Sequence, residues 1–388
     1  MLPPPAQLLW AAIAALIVIL IVLYTLLVHF SPTEPIPHPS EATYVTAAAP
    51  SDPQSLPHLV NDYKDQDQDA AAMDRPTVEL TVVVPAYNES NRIESMLRSA
   101  VEFLETRPLL AHEAKEDHHH SPTLPAPGSY EILIVDDGSK DKTSEKALEM
   151  AGQLANEIGN KRGQIKVCRL VRNRGKGGAT KHGVLHASGS RILFVDADGA
   201  TRFEDLALLE DELGAVTVTQ AARSNRAEGT HGLVVGSRAH LVSTEAVVKR
   251  SALRNLLMRG FHLYLSLLGL SSIRDTQCGF KLQTRATARL LYPSLHSPGW
   301  IFDCELLLLA QRCGVPLREV GVRWKEVPGS KLDVVTDSIR MARDLLVIRA
   351  NYLVGRWETP ARVEAGVPLA GNGVKVAATE ESESKKKR

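Results

Sequence analysis

The chain has 388 residues, 44% of them hydrophobic, which is enough for one large or two ordinary domains with a substantial core. Its 45 basic and 45 acidic residues balance, and this excludes a general nucleic-acid binder, because a phosphate backbone demands a basic surplus. Four cysteines, Cys168, Cys278, Cys304 and Cys313, form neither a Cys-x-x-Cys pair nor a disulfide framework, so the composition favours a reducing compartment and a small-molecule or membrane partner.

Residues 8–28 carry no charge, and at about 1.5 Å per residue they span a hydrocarbon core of about 30 Å. Residues 1–30 are therefore read as a transmembrane anchor; a cleaved signal peptide has an apolar region of only about 7–15 residues behind a basic start. No Lys or Arg precedes the span and Lys64 is the next positive charge, so flanking charge does not set its orientation. Residues 31–77, rich in Pro, Ser, Ala and Asp, read as a flexible stalk.

From residue 78 short β-rich runs alternate with helical spacing. Strands are expected at 80–84, 131–135, 166–171, 191–195, 233–235 and 317–322. Helices are expected at 92–105, 143–157 and 179–187, with Asn91 and Asp141 or Ser139 as caps. This alternation predicts an α/β domain over 78–357, a Rossmann-like, mainly parallel sheet flanked by helices. Residues 106–129 read as a disordered insertion, whose His118-His119-His120 run lacks other evident ligands. Residues 358–388 read as a disordered charged tail ending Lys385-Lys386-Lys387-Arg388, with the form of an endoplasmic-reticulum retrieval signal for a cytosolic tail.

Three of the strands end in acids: Val83-Val84-Pro85-Ala86-Tyr87-Asn88-Glu89, Val135-Asp136-Asp137-Gly138-Ser139 and Val195-Asp196-Ala197-Asp198-Gly199. In an open α/β sheet ligands bind beyond the carboxyl ends of the strands, so this ordered set describes a nucleotide-sugar site. Tyr87 offers a flat surface to a base or ribose, while Glu89, Asp136 and Asp137 accept hydrogen bonds from ring N–H or hydroxyl groups. Helix capping is the competing role for each. Asp196 and Asp198 point the same way in an extended segment and suit a shared Mg²⁺ or Mn²⁺. Asn173-Arg174-Gly175-Lys176-Gly177-Gly178 joins a strand to a helix and turns N–H groups toward an anion, with Lys176 a candidate for the diphosphate. It matches neither the Walker nor the Gly-x-Gly-x-x-Gly pattern, which disfavours an ATPase or a dinucleotide dehydrogenase.

These motifs, with Gly236-Ser237-Arg238, Asp275-Thr276-Gln277-Cys278-Gly279-Phe280-Lys281 and the stretch from Trp324 to Lys331, resemble the inverting GT-A (nucleotide-diphospho-sugar transferase) glycosyltransferases acting on polyprenyl phosphates, nearest to the eukaryotic branch that glucosylates dolichyl phosphate. The likeness covers about 78–357. It implies a GT-A fold, transfer of glucose from UDP-glucose to dolichyl phosphate with inversion, a Mg²⁺ or Mn²⁺ cofactor, a donor site of Pro85, Ala86, Tyr87, Glu89, Asp136, Asp137, Lys176, Asp196, Ala197 and Asp198, and placement on the cytosolic face of the endoplasmic reticulum membrane, serving N-glycosylation. Catalytic roles fall on Asp198, Asp275 and Arg238. Two anions must meet in such a site, so Arg238, Arg254, Arg259 and Lys331, with Gln277, are candidates for the acceptor. Basic amphipathic stretches at 252–270 and 338–357 fit a membrane interface. A GDP-mannose-dependent dolichyl-phosphate mannosyltransferase and a non-catalytic nucleotide-sugar sensor are the rival readings; retention of both Asp196 and Asp198 speaks against the sensor.

Overall fold

The computed structural model describes residues 5–59, 75–108, 125–159, 161–224, 230–243, 273–329, 334–363 and 375–376. The first helix, α1 (Pro5–Phe30), is long and apolar enough to cross a membrane, and its apolar side chains from Leu8 onward are mostly exposed. A 3-10 turn at Pro39–Ala42 and a hairpin of β1 (Thr43–Thr46) and β2 (Ala49–Ser55) follow. Part of the expected stalk is thus a structured arm: Val45 pairs with Val167, adding the hairpin to the sheet edge. The alternation of prolines and small polar residues hid this edge, where Pro is tolerated because some N–H groups face solvent.

The central elements are β3 (Val78–Ala86), α2 (Ile93–Thr106), β4 (Tyr130–Asp136), α3 (Thr143–Glu157), β5 (Gly163–Arg169), α4 (Gly175–Leu185), β6 (Gly189–Val195) and α5 (Leu206–Ser224). Then come β7 (Leu233–Ser237), β8 (Phe280–Thr284), α6 (Arg285–Leu291), α7 (Phe302–Cys313), β9 (Leu317–Gly321), α8 (Val334–Leu353) and the two-residue β10 (Lys375–Val376). All six expected strands and three expected helices are present, with shifts of a few residues at their ends. Neither α2 nor α3 has a side-chain bond at its N-cap, Arg92 and Lys142, so Asn91 is not the cap; Asp141 instead accepts the N–H of Thr143 at 3.1 Å.

The sheet runs β10-β9-β7-β8-β6-β3-β4-β5-β1-β2. Its centre, β6-β3-β4-β5, is parallel as expected. The whole is mixed, because β8 lies antiparallel between β6 and β7, and the hairpin is antiparallel to β5. Apolar runs bury both faces of the central strands: Val82 and Val84 face α2, α3 and α5, while Val83 and Val135 face α4, α6 and α7. Aligned pairs such as Ala86 with Asp136 bring the strand ends to one edge, and β7 and the start of β8 open at that same edge.

Residues 109–124 of the insertion with the His118–120 run, residues 252–270 with Arg254 and Arg259, and Lys331 lie outside the described residues. Of the expected tail, residues 358–363 pack back on α7, with the Val363 N–H donating to the Cys313 carbonyl at 2.7 Å, and β10 pairs with β9. The four cysteines are buried and free.

Candidate active site

Asp196 and Asp198 sit just past β6, at the end of the apolar run expected as a strand. Lys176, from the first turn of α4, donates to Asp196 Oδ1 at 2.7 Å, with its ammonium 5.4 Å from the ring centres of both Phe194 and Trp300. Burial alone would lower the Lys176 pKa, yet the carboxylates of Asp196 and Asp303 outweigh it and hold the group above the usual lysine range. Asp198 accepts the Ala200 N–H at 3.0 Å and lies 3.7 Å from the Arg92 guanidinium. Burial, then the neighbouring Asp196 charge, pushes its carboxyl pKa up. Ala197 between them is buried.

No group of three His, Cys, Asp or Glu side chains that could hold a metal occurs among the described residues. Two carboxylates alone fit Mg²⁺ or Mn²⁺, hard cations that commonly take one or two protein carboxylates and complete their shell with phosphate oxygens and water. Two like charges that crowd each other at a strand end are what a divalent cation would relieve.

The first two acid-tipped loops are knitted together. Asn88, in the left-handed region at φ 54°, accepts the N–H groups of Lys140 and Asp141, and its own N–H donates to Ser139 Oγ at 2.9 Å. Pro85 and Ala86 close β3 beside Val135 and Asp136, and Tyr87 is half-buried at the turn. Glu89 is buried and takes the Arg92 guanidinium in two bonds of 2.7 and 2.6 Å. Asp136 accepts the Ser139 N–H and the Ser144 hydroxyl. Both oxygens of Asp137 accept loop N–H groups, Arg174 at 2.6 Å and Gly175 at 2.9 Å, and burial pushes its pKa up to about 7 against those bonds. In this state Asp137 braces the 172–176 loop.

That loop differs from the expected anion cradle. Helix α4 starts at Gly175, four residues before the expected position, and the N–H groups of Gly177 and Gly178 donate to the Pro298 carbonyl at 2.8 and 3.2 Å. A Cβ on Gly177 would meet the Ser297 carbonyl oxygen at 2.5 Å, so this glycine serves close packing of α4 on the 297–302 segment. The charge offered to an anion here belongs to Lys176.

Across the site, Arg238 follows β7 and Asp275 precedes β8. They form a two-bonded ion pair, Nε to Oδ2 at 2.7 Å and a terminal nitrogen to Oδ1 at 2.9 Å, with the Arg238 N–H also on Asp275. Burial opposes both charges, but the pairing holds Arg238 above and Asp275 below their ordinary ranges. Glu319 orients Asp275 by accepting its N–H at 2.9 Å, and Trp324 lies 5.4 Å beneath the guanidinium. Gln277 donates to the Met341 sulfur at 3.2 Å. Beneath them Lys281 and Asp303 form a buried pair at 2.5 Å. The sequence reading gave no role to Arg92 or Glu319, and it quoted Trp324 only as part of a motif, without its place under Arg238. Arg92 had one visible signal, its three-residue spacing from Glu89 on a helix start; the other two are placed only by tertiary contact.

Residues 81–262 match the model for glycosyl transferase family 2. The dolichyl-phosphate β-glucosyltransferase of Dictyostelium discoideum is 44% identical over 72% of this chain and 76% of its own. The enzyme of that name from Saccharomyces cerevisiae is 39% identical over 88% of this chain and 92% of its own. Among solved structures, Mycobacterium tuberculosis glucosyl-3-phosphoglycerate synthase with Mn²⁺, UDP-glucose and phosphoglyceric acid aligns over 84% of this chain and 97% of that one, at 19% identity and TM-score 0.42.

Proposed function

The chain belongs to the dolichyl-phosphate β-glucosyltransferases of glycosyl transferase family 2, and from that premise we propose that it transfers glucose from UDP-glucose to dolichyl phosphate beyond the carboxyl end of β6. The observation that carries the placement is the Asp196 and Asp198 pair flanked by two cations, Lys176 and Arg92. Mg²⁺ or Mn²⁺ held by Asp196 and Asp198 would neutralise the diphosphate as it leaves. Pro85, Ala86, Tyr87, Glu89, Asp136 and Asp137 would line the uridine side, with Lys176 turning from Asp196 to the diphosphate.

The reaction needs little acid–base machinery. A phosphate monoester has its second pKa near about 6, so at neutral pH the dolichyl phosphate oxygen is already an anionic nucleophile. It attacks glucose C1 from the face opposite UDP; the new C1–O bond forms as the old one breaks, and that electron pair leaves on the β-phosphate. The product is dolichyl β-D-glucosyl phosphate. The difficulty is bringing two anions together, and Arg238, kept charged by Asp275, would receive the acceptor phosphate.

The membrane side supports a lipid-borne acceptor. The end of α1 seats on α8: the side-chain amide of Asn351 donates to the hydroxyl of Ser31 at 2.9 Å, and Arg343 lies 5.7 Å over the Phe30 ring. Helix α8 also exposes Ile339, Leu346 and Leu353, spaced one heptad apart, beside its arginines. Such a face suits a membrane surface continuous with the α1 span. Free, buried cysteines fit the cytosolic face of the endoplasmic reticulum, where this glycolipid would serve N-glycosylation.

Incubation of the detergent-solubilised protein with dolichyl phosphate, Mg²⁺ and either UDP-glucose or GDP-mannose, read by lipid mass spectrometry, tests the proposal. A hexosyl lipid from UDP-glucose alone is expected; product from GDP-mannose alone, or none from either donor, would overturn it.

A further inference from the structure

The arm between α1 and β3 takes no part in the chemistry above, yet it is tied into the donor end of the sheet. Glu41, on the 3-10 turn, is only 1% exposed. Its carboxylate accepts the N–H of His38 at 2.7 Å and of Val171 at 2.9 Å, and pairs with the Arg174 guanidinium. Its carbonyl oxygen meets His182 Nε2 at 2.8 Å and accepts from the Cys168 thiol at 3.2 Å. Thus one residue of the arm grips β5's exit, α4 and the loop between them. The other end of that loop is the donor site: the Arg174 N–H donates to Asp137, and Lys176, two residues on, reaches Asp196.

We propose that Glu41 is a positioning residue for the donor site, seating Arg174 so that the 172–176 loop holds Lys176 where the diphosphate binds. The proposal rests on the UDP-glucose reading above. Arg174 Nε is buried without a hydrogen-bond partner among the described residues, so its guanidinium relies on Glu41 for compensation. Removing one partner of a buried pair strands a charge, whereas removing both with amides of similar shape does not. A stranded Arg174 is drawn toward water and takes its own N–H, and then Lys176, with it. The arm follows directly on α1, so the Glu41 carboxylate links the chain leaving that helix to the donor loop, beside the Glu34–Lys181 pair on α4.

The full-length protein in detergent, as wild type, Glu41→Gln, Arg174→Gln and the double variant, is compared by thermal unfolding, by initial rates against each substrate, and by calorimetric binding of UDP with Mg²⁺. For Glu41→Gln the expected result is a rise of about tenfold in KM for UDP-glucose and Kd for UDP, with KM for dolichyl phosphate within about twofold of wild type. The double variant should regain most of the lost UDP affinity. Should Glu41→Gln fail to fold, the double variant carries the test, with near wild-type UDP affinity expected. Unchanged UDP binding in a folded Glu41→Gln, equal losses for both substrates, or no recovery in the double variant would overturn the proposal. Wild type that binds UDP but makes no glycolipid would sink the transferase reading instead, and the UDP affinities would still decide the role of Glu41.

Discussion

Gly279 lies so close to Asp196 that a Cβ on it would stand 2.0 Å from the Asp196 Oδ2, while the Gly279 carbonyl accepts the Asp196 N–H at 3.1 Å. The start of β8 thereby fixes the first of the two proposed metal carboxylates. Gly279→Ala should push that carboxylate aside and lower kcat/KM by about 100-fold, the scale expected of an ångström-sized misplacement. Steady-state rates across a Mg²⁺ titration check this; an alanine variant with wild-type rates would show that Asp196 is not needed in this position.

Asp198→Asn removes one of two crowded carboxylates. Turnover should fall by at least about 100-fold, whereas thermal stability should hold or rise, because the half-buried charge that crowds Asp196 is gone. Rates and melting curves measured on the same preparation separate the two effects. Undiminished turnover in a folded variant would remove Asp198 from the mechanism.

Arg238→Ala strands the Asp275 carboxylate. With the Arg238 side chain 32% exposed, solvent softens the loss, and a destabilisation of about 2 kcal/mol is expected in chemical denaturation. KM for dolichyl phosphate should rise more than Kd for UDP. The reverse ranking in titrations of each substrate would place Arg238 on the donor side.

Acid should loosen the arm. His186 contacts the Pro57 carbonyl at 2.5 Å, with His58 and His182 rings on either side, and burial, then His182, pushes its pKa down to about 4. The unfolded chain takes up that proton near about pH 6.5. Between these values the unfolded state binds more protons, so stability is lost as pH falls from about 6.5 to about 4, by up to about 3 kcal/mol from this group. Denaturation of wild type and His186→Gln across that window tests it: the slope should flatten in the variant, and parallel curves would contradict the assignment.

The parts of this molecule legible in the sequence are those where local pattern and burial agree. Strands β3, β4 and β6 are apolar runs buried on both faces, and their terminal acids mark the site edge without any tertiary knowledge. Strand β8 was invisible because Lys281 and Gln283 occupy buried positions, each 1% exposed; Lys281 is tolerated there only because Asp303, from a distant helix, neutralises it. The arm hid behind Pro50 and Pro53, which argue against a strand until an edge is known to receive it. The acids Asp196, Asp198 and Asp275 could be named in advance, but the pairing of Lys176 with Asp196 and of Arg238 with Asp275 depends on loops brought together by the sheet. The roles of Glu41 and Glu319 depend on that same closure.

The central claim is a single displacement at glucose C1, and the anomeric configuration of the glycolipid tests it most directly. The lipid product made from UDP-glucose, whose glucose is α-linked, should show by proton NMR the large H1–H2 coupling of a β-glucosyl phosphate. An α-linked product, or a sugar other than glucose, would contradict the account.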